Sequence, residues 1–280
     1  MQKIVESFNV KEAFLYSKKY IFIKGYATAL RLPQTLRALP LVRKFHNGQY
    51  RKGEVIIDGQ SWRLPYVLHV LKVCSTLISL RLPLKSDELD NLLAAALLHD
   101  SLEDCSEYFP KGGNELVNEY HFSPKVLEAV KLVSKRSGAT EAELDDYFNQ
   151  IKANKYAILI KLADRSHNVE DLYVMKPEKL HKYVNETRTW IYPLTTYGKA
   201  NYPEFSDGFT ILKDKIVSLT ECTETIINIY EEELNKKNDE ITKLKAEIEK
   251  LKSQLSRKRT TKWTQYTKQK EQQKNIVNMQ

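Results

Sequence analysis

Two short stretches place side chains that do chemistry at helical spacing. Leu97 to Asp104, LLHDSLED, sets His99 beside Asp100 and adds Glu103 and Asp104 one turn later, at the end of an apolar run that begins at Leu92. Ile158 to Asn168, ILIKLADRSHN, repeats the device: an apolar run leads into Asp164, and Asn168 falls four residues on, on the same helical face. Burying ionisable groups without partners is costly, so such placement points to a metal, a compensating charge or a catalytic task. An adjacent His and Asp offer a borderline nitrogen and a hard oxygen to one divalent ion. His69 and Asp164, from other helices, complete a mixed set that suits Mn2+, Fe2+ or Zn2+ better than Ca2+. Taken alone, a His-Asp dipeptide is an ordinary helix end; the four-part pattern is what singles it out.

These residues need helices to hold them. Helix formers dominate the chain, Gly and Pro number nine each, and no regular series of alternating strands is visible, so the body is predicted to be mostly α-helical. Residues 1–45 carry apolar positions at helical spacing and are predicted as helices broken at Pro33 and Pro40. Gln49 to Pro65 is predicted as a loop that brings Arg51 and Lys52 near a helix starting near Pro65 and carrying His69. Ser86 reads as the N-cap of the helix that ends in the first acidic cluster. Further helices are expected from Ser123 to Ser134, from Glu141 to Ala153, around Asp164, and from Pro177 to about Thr189.

The chain has 280 residues, 42% of them hydrophobic, enough for a sizeable core. Cys74, Cys105 and Cys222 lie too far apart for a C-x-x-C pair or a disulfide ladder, which suggests a reducing compartment. Met1 to Val10 lacks a basic start followed by an apolar core, and no run of 18 apolar residues occurs, so a soluble cytoplasmic protein is expected, with no membrane partner. Of the formal net charge of +8, +6 falls between Arg257 and Gln280, where seven Lys or Arg face one Glu. Any attraction to nucleic acid is therefore expected of the tail, and Trp263 and Tyr266 there could stack on bases; a disordered charged tail is the simpler expectation.

Beyond Cys222 the pattern changes. Ile227, Leu234, Ile241, Ile248 and Leu255 repeat every seven residues, with Tyr230, Leu244 and Leu251 three positions behind their predecessors. That is a coiled-coil seam, weakened by Lys237 and Lys258 at its second position. Glu240 with Lys245, and Glu247 with Lys252, fall at the flanking positions that pair between parallel helices, so a homodimer through this segment is expected.

The motifs resemble a known family. LLHDSLED is similar to the LLHD-x-x-ED of the hydrolase domain of the RelA/SpoT homologues, a branch of the HD-domain metal-dependent phosphohydrolases, and IKLADRSHN to its IKLADR-x-HN. Arg51, Lys52, Gly53 and Glu54, then Pro65, Tyr66 and His69, resemble its R-K-x-G-E and P-Y-x-x-H segment; the likeness spans residues 45 to about 200. It implies an all-α fold, an HD-domain helical bundle, that holds Mn2+ and removes the 3′-pyrophosphate of the guanosine alarmones ppGpp and pppGpp. It further implies His69, His99, Asp100 and Asp164 as metal ligands, Glu103 and Asp104 as the pair that positions and deprotonates water, and Arg51, Lys52 and Asn168 as residues near the nucleotide. Arg51 and His69 are eighteen apart, a longer separation than the family's, which implies an insertion around Val55 to Arg63 beside the base pocket. Val70 stands where the family has Pro, Asp171 where it often has Thr, and Tyr192 precedes Pro193 by one residue instead of two.

The organisation expected is an N-terminal helical extension over 1–45, the HD phosphohydrolase domain over 46–221, a coiled-coil helix over 222–256 and a disordered basic tail over 257–280. That leaves no room for a synthetase domain, so a standalone hydrolase is expected. An HD phosphohydrolase for another nucleotide, a dNTP or NADPH, is the alternative enzyme, and a silent HD scaffold acting through its coiled coil is the alternative of another class. The complete ligand set with Glu103 and Asp104 argues against silence, and the absence of a GYP triplet argues against a cyclic-dinucleotide phosphodiesterase. His46, His121, His167 and His181 lack ligand spacing and are expected to be structural or exposed, with His167 the nearest to mattering.

Overall fold

A computed structural model describes residues 10–51, 55–57, 60–135, 138–170 and 177–277. Helix α1 runs Val10–Ala29, α2 Pro33–Phe45, α3 Val67–Ser79, α4 Ser86–Leu98, α5 Ser101–Asp104, α6 Glu115–Asn118, α7 Pro124–Val133, α8 Glu141–Ile151 and α9 Lys155–Glu170. After α10, Pro177–Glu186, a π-helical turn over Thr187–Ile191 leads into α11, Tyr192–Asn201, and the long α12 covers Ser206–Val277. By contact the chain divides into two compact units, Met1–Thr225 and Ile226–Gln280.

The first unit is an all-α bundle around one core. Leu92 through Leu98 of α4 are fully buried, as are Ala157 through Ile160, Leu162 and Ala163 of α9, so these stretches are covered on all sides and lie in the middle. Helices α1 and α2 contribute Ile23, Ala27, Ala38, Leu39 and Val42 to the same core. The start of α2 is tied to α4 by a buried carboxylate: Asp90 accepts from the amides of Gln34 (2.9 Å) and Thr35 (2.7 Å), satisfying donors that a helix start leaves open. Helix α7 is capped as the sequence predicts, with the Ser123 hydroxyl accepting from Val126 N. Helix α8 opens with a capping box between Thr140 and Glu143.

Three local expectations are corrected. Pro33 starts α2, but Pro40 sits inside it without ending it, because the buried face of Ala38, Leu39, Val42 and Phe45 runs on past it and packs on α4. The N-cap of α4 is Lys85 rather than Ser86; the Glu88 carboxylate accepts from the Lys85 amide, and Ser86 turns to the Leu30 carbonyl. The segment predicted as a loop before α3 contains a two-stranded antiparallel hairpin, β1 Val55–Ile57 with β2 Gln60–Trp62, Ile56 opposite Ser61, and Tyr50 bridges Pro65 below it. Helix α3 begins at Val67, near Pro65 as expected.

In the second unit α12 is helical to Val277, where the sequence leaves residues 257–280 as a disordered tail. No Gly or Pro follows Gly208, and Lys, Gln, Glu and Arg cost little in a helix. Leu234, Ile241, Leu244, Ile248, Leu251 and Leu255 are all exposed along it. No helix among the described residues is long and apolar enough to cross a membrane.

Candidate metal centre

Three elements meet at one point because their apolar faces pack together in the core. Helix α3 supplies His69 in its first turn, and α9 supplies Asp164 after its buried run. The helix of the first motif is interrupted where it matters: α4 ends at Leu98, Asp100 has φ −93° and ψ −2°, and α5 resumes at Ser101. That bridge-region backbone is sparsely populated and recurs at active sites. The turn survives through the Asp104 amide, which donates to the Asp100 carbonyl at 2.9 Å, so Glu103 and Asp104 stand one turn on, but on a separate short helix.

The donor atoms of His69, His99 and Asp164 lie within 4.8 Å of one another, and all three residues are buried. His69 Nε2 is 3.1 Å from Asp164 Oδ1 and 3.4 Å from Asp100 Oδ2. His99 Nε2 is 3.0 Å from Asp100 Oδ2 and 3.9 Å from Asp164 Oδ1. Ligands held about 2.1 Å from one ion lie about 3.0 Å apart at right angles and about 3.4 Å apart at the tetrahedral angle. The donors therefore have the spacing of a coordination shell. His99 Nε2, though fully buried and near Asp100, has no hydrogen-bond partner, an orphaned nitrogen aimed at the centre of the group. The donor set fits a divalent cation.

The surrounding groups orient these ligands. His99 Nδ1 lies 2.8 Å from the Ala96 carbonyl, which fixes the proton on Nδ1 and leaves Nε2 as the donor toward the centre. His69 Nδ1 is matched by His167 Nδ1 at hydrogen-bond distance, which does the same for His69 if its proton is donated to His167. Burial, and then the neighbouring His69 and Lys72, hold His167 in its neutral form, well below the usual histidine pKa. Asp164 is gripped at both oxygens: Asn168 Nδ2 donates to Oδ1 at 2.6 Å and Lys161 Nζ to Oδ2 at 3.1 Å. Tyr66 donates its hydroxyl to Asp100 Oδ2 at 2.7 Å, its ring stacked on His46 and capped by the Arg51 guanidinium.

The electrostatics follow. Burial opposes ionisation of Asp100 and of Asp164, yet the imidazole of His99 drives the first, and Lys161 with His69 the second, well below the carboxylate range. Burial pulls the His99 pKa down, but the Asp100 charge outweighs it and raises the imidazole to about 9. Without an ion the centre is thus balanced by a proton on His99; a cation can take that proton's place.

His69, His99, Asp100 and Asp164 come together as the sequence places them, Asp100 touching both imidazoles from the more open side. Arg51 reaches the edge of the group, its NH2 donating to Asn168 Oδ1 at 2.8 Å. Glu103 and Asp104 are exposed at the rim; the Glu103 carboxylate accepts from the Lys135 amide at 2.9 Å, and burial of its carboxyl raises its pKa. Lys52 and Asp171 lie outside the described residues. Tyr66, Lys161 and His167 were not singled out as site residues by sequence. Each carried a signal: Tyr66 precedes His69 by three residues, and Lys161 and His167 flank Asp164 by three on either side.

No protein-family model matches the chain. It is 30% identical over 189 residues to the guanosine-3′,5′-bis(diphosphate) 3′-pyrophosphohydrolase of Vibrio cholerae, covering 65% of this chain and 24% of that protein. It is 29% identical over 189 residues to the bifunctional (p)ppGpp synthase/hydrolase SpoT of Escherichia coli, with the same shares. To the guanosine-3′,5′-bis(diphosphate) 3′-pyrophosphohydrolase of Aquifex aeolicus it is 31% identical over 163 residues, 56% of this chain and 20% of the relative. The chain thus spans about a quarter of the length of these curated relatives. The likeness to the RelA/SpoT homologues that the motifs carry is borne out across more than half of the chain.

Proposed function

We propose, starting from that likeness, that the chain is a Mn2+-dependent hydrolase that removes the 3′-pyrophosphate from ppGpp and pppGpp. The observation that carries the proposal is the convergence of His69 Nε2, His99 Nε2, Asp100 Oδ2 and Asp164 Oδ1 at separations of 3.0 to 3.9 Å. These four residues would hold the ion, which when bound lowers the pKa of a coordinated water and neutralises phosphate charge. Glu103 and Asp104, exposed one turn beyond these residues, would accept the proton of an attacking water. The raised pKa of Glu103 brings its basicity closer to that task, and the Lys135 amide holds its carboxylate in place. Arg51, held by Asn168 and lying over Tyr66, presents its charge to a phosphate or base at the rim, and Lys52 follows it in sequence. Three free cysteines suit the reducing cytoplasm in which such an activity would work.

The test is product analysis after incubating purified protein and Mn2+ with ppGpp, pppGpp, dNTPs and NADPH. Pyrophosphate from the two alarmones, with GDP and GTP as the partner products, is the expected result. Release from a dNTP, or phosphate from NADPH, with neither alarmone cleaved, would move the assignment to another nucleotide. No turnover of any of them by protein shown to contain Mn2+ would favour the scaffold.

We further infer that α12 pairs two copies of the chain in parallel. The heptad seam leaves Leu234, Ile241, Leu244, Ile248, Leu251 and Leu255 exposed on a single helix, a surface that a second copy covers. Glu240 and Glu247 on one flank fall opposite Lys245 and Lys252 on the other. Parallel pairing sets acid against base, whereas antiparallel pairing sets like against like.

A further inference from the structure

One group of cations is left over by the mechanism. Lys19 of α1 donates to the Ser75 hydroxyl of α3 at 3.2 Å, and Ser75 donates in turn to the carbonyl of Lys72 at 3.0 Å. The Lys19 amine therefore lies along the face of α3 that carries Lys72, which follows His69 by three residues. Lys215 of α12, within the first unit, pairs with Glu170 at the C-terminal end of α9, two residues beyond Asn168. Lys19, Lys72 and Lys215 are all half-buried, so their ammonium groups are partly fixed in place. Burial, followed by the charges of Lys72 and Lys18, depresses the Lys19 pKa; Glu170 opposes this and Lys215 adds to it. Lys72 stands one turn beyond His69 on α3, so the cluster adjoins the metal centre.

Ammonium groups gathered on one face repel one another, and a polyanion is the ligand class that relieves this. Ammonium groups act as point charges toward phosphate, without the planar matching that arginine needs. A nucleotide bearing two phosphate chains presents one of them to the metal centre and must place the other against something. We propose that Lys18, Lys19, Lys72 and Lys215 form a second anion subsite that takes the phosphate chain not undergoing cleavage; this rests on the hydrolase function proposed above.

The experiment compares the parent with a Lys19→Gln/Lys215→Gln double variant, both full length, after checking that Mn2+ content and circular dichroism agree. Charge-assisted contacts to phosphate are each worth on the order of tenfold in affinity, so KM for ppGpp should rise at least about tenfold while kcat stays near the parent's. KM for guanosine 3′-diphosphate, which lacks the second chain, should not move. Lys18→Gln, exposed on α1, should give a smaller rise of the same kind and serves if the double variant does not fold. An unchanged KM for ppGpp, or an equal rise for both nucleotides, overturns the subsite. A second arm titrates inorganic tripolyphosphate calorimetrically into both proteins in chelator-treated buffer. If the parent cleaves neither nucleotide, the hydrolase function has failed and this arm decides alone: weaker binding by the variant upholds the subsite, and equal binding overturns it.

Discussion

Asp164 shows how one carboxylate serves two tasks. Its Oδ1 faces His69 and is steadied by Asn168, while its Oδ2 is neutralised by Lys161, so the oxygen left toward the centre is fixed in direction. Tyr66 does for Asp100 what Asn168 does for Asp164, donating to the oxygen that faces the imidazoles. Outer partners of metal ligands typically contribute about 10- to 100-fold in affinity, so Tyr66→Phe should weaken Mn2+ binding by about that factor while leaving the fold intact, which calorimetry can check. The pH dependence follows from His99, whose pKa is raised to about 9 with Asp100 outweighing burial. In ion-free protein its protonated form stabilises the fold fully below the unfolded histidine pKa, and that contribution is lost as pH rises through about 9. Coordination needs the neutral ring, so Mn2+ affinity should climb with pH up to about 9, with a proton released per ion bound; affinity flat across that window would show that His99 is not a ligand. Water activation is tested separately. Glu103→Gln keeps the shape and removes the base, so kcat should fall about 10²- to 10⁴-fold at unchanged Mn2+ content, and Asp104→Asn should behave similarly. If both variants lose the ion, these carboxylates are ligands or supports instead. His99, Asp100 and Asp164 were legible as candidate donors because His-Asp and the later Asp each end an apolar run, whereas His69 stood out only through the wider pattern. Tyr66 and His167 were not, since their roles are contacts between helices far apart in the chain, to Asp100 and His69.

At the scale of elements, the centre depends on interrupting α4 after Leu98, which lets His99 face inward while Glu103 and Asp104 come out at the rim. Periodicity predicts one continuous helix through both, because neither Gly nor Pro marks the break. The hairpin before α3 was legible in part: Val55, Ile56 and Ile57 are β formers and Asp58-Gly59 is a hairpin signal, but the glycines pointed toward a loop. Pairing of Tyr50 with Pro65 shows what the hairpin does, since it closes the excursion and returns the chain to α3 with Arg51 beside the centre. Asp90 is the reverse case, an acidic residue in a helix that reads as surface charge and proves 4% exposed, capping α2. Asp90→Ala leaves two amides and the Thr35 hydroxyl short of an acceptor. It should cost about 1–3 kcal/mol or somewhat more in urea unfolding while Mn2+ affinity per folded molecule is unchanged. A loss under 0.5 kcal/mol, on the order of a neutral surface change, would mean that water replaces the carboxylate freely.

For the whole molecule, the sequence predicted an all-α body and a heptad-bearing C-terminal helix, and both are present. The extent of α12 was less legible, because a polar Lys- and Gln-rich stretch is compatible with disorder or with helix, and only the lack of a breaker favours helix. Truncation after Thr225 should convert a dimer to a monomer by light scattering at micromolar concentration without changing kcat per chain; a monomeric full-length protein would remove the pairing. The central claim is that the four donors hold an ion on which pyrophosphate release depends. Its most direct measurement is the rate of pyrophosphate release from ppGpp by parent and Asp100→Ala proteins, each assayed for bound Mn2+ after dialysis. The account predicts bound Mn2+ and turnover in the parent and loss of both in Asp100→Ala, with the body still folded because Leu92 to Leu98 and the other apolar faces, not the ion, supply the core. Asp100→Ala protein that releases pyrophosphate at the parent rate would contradict it.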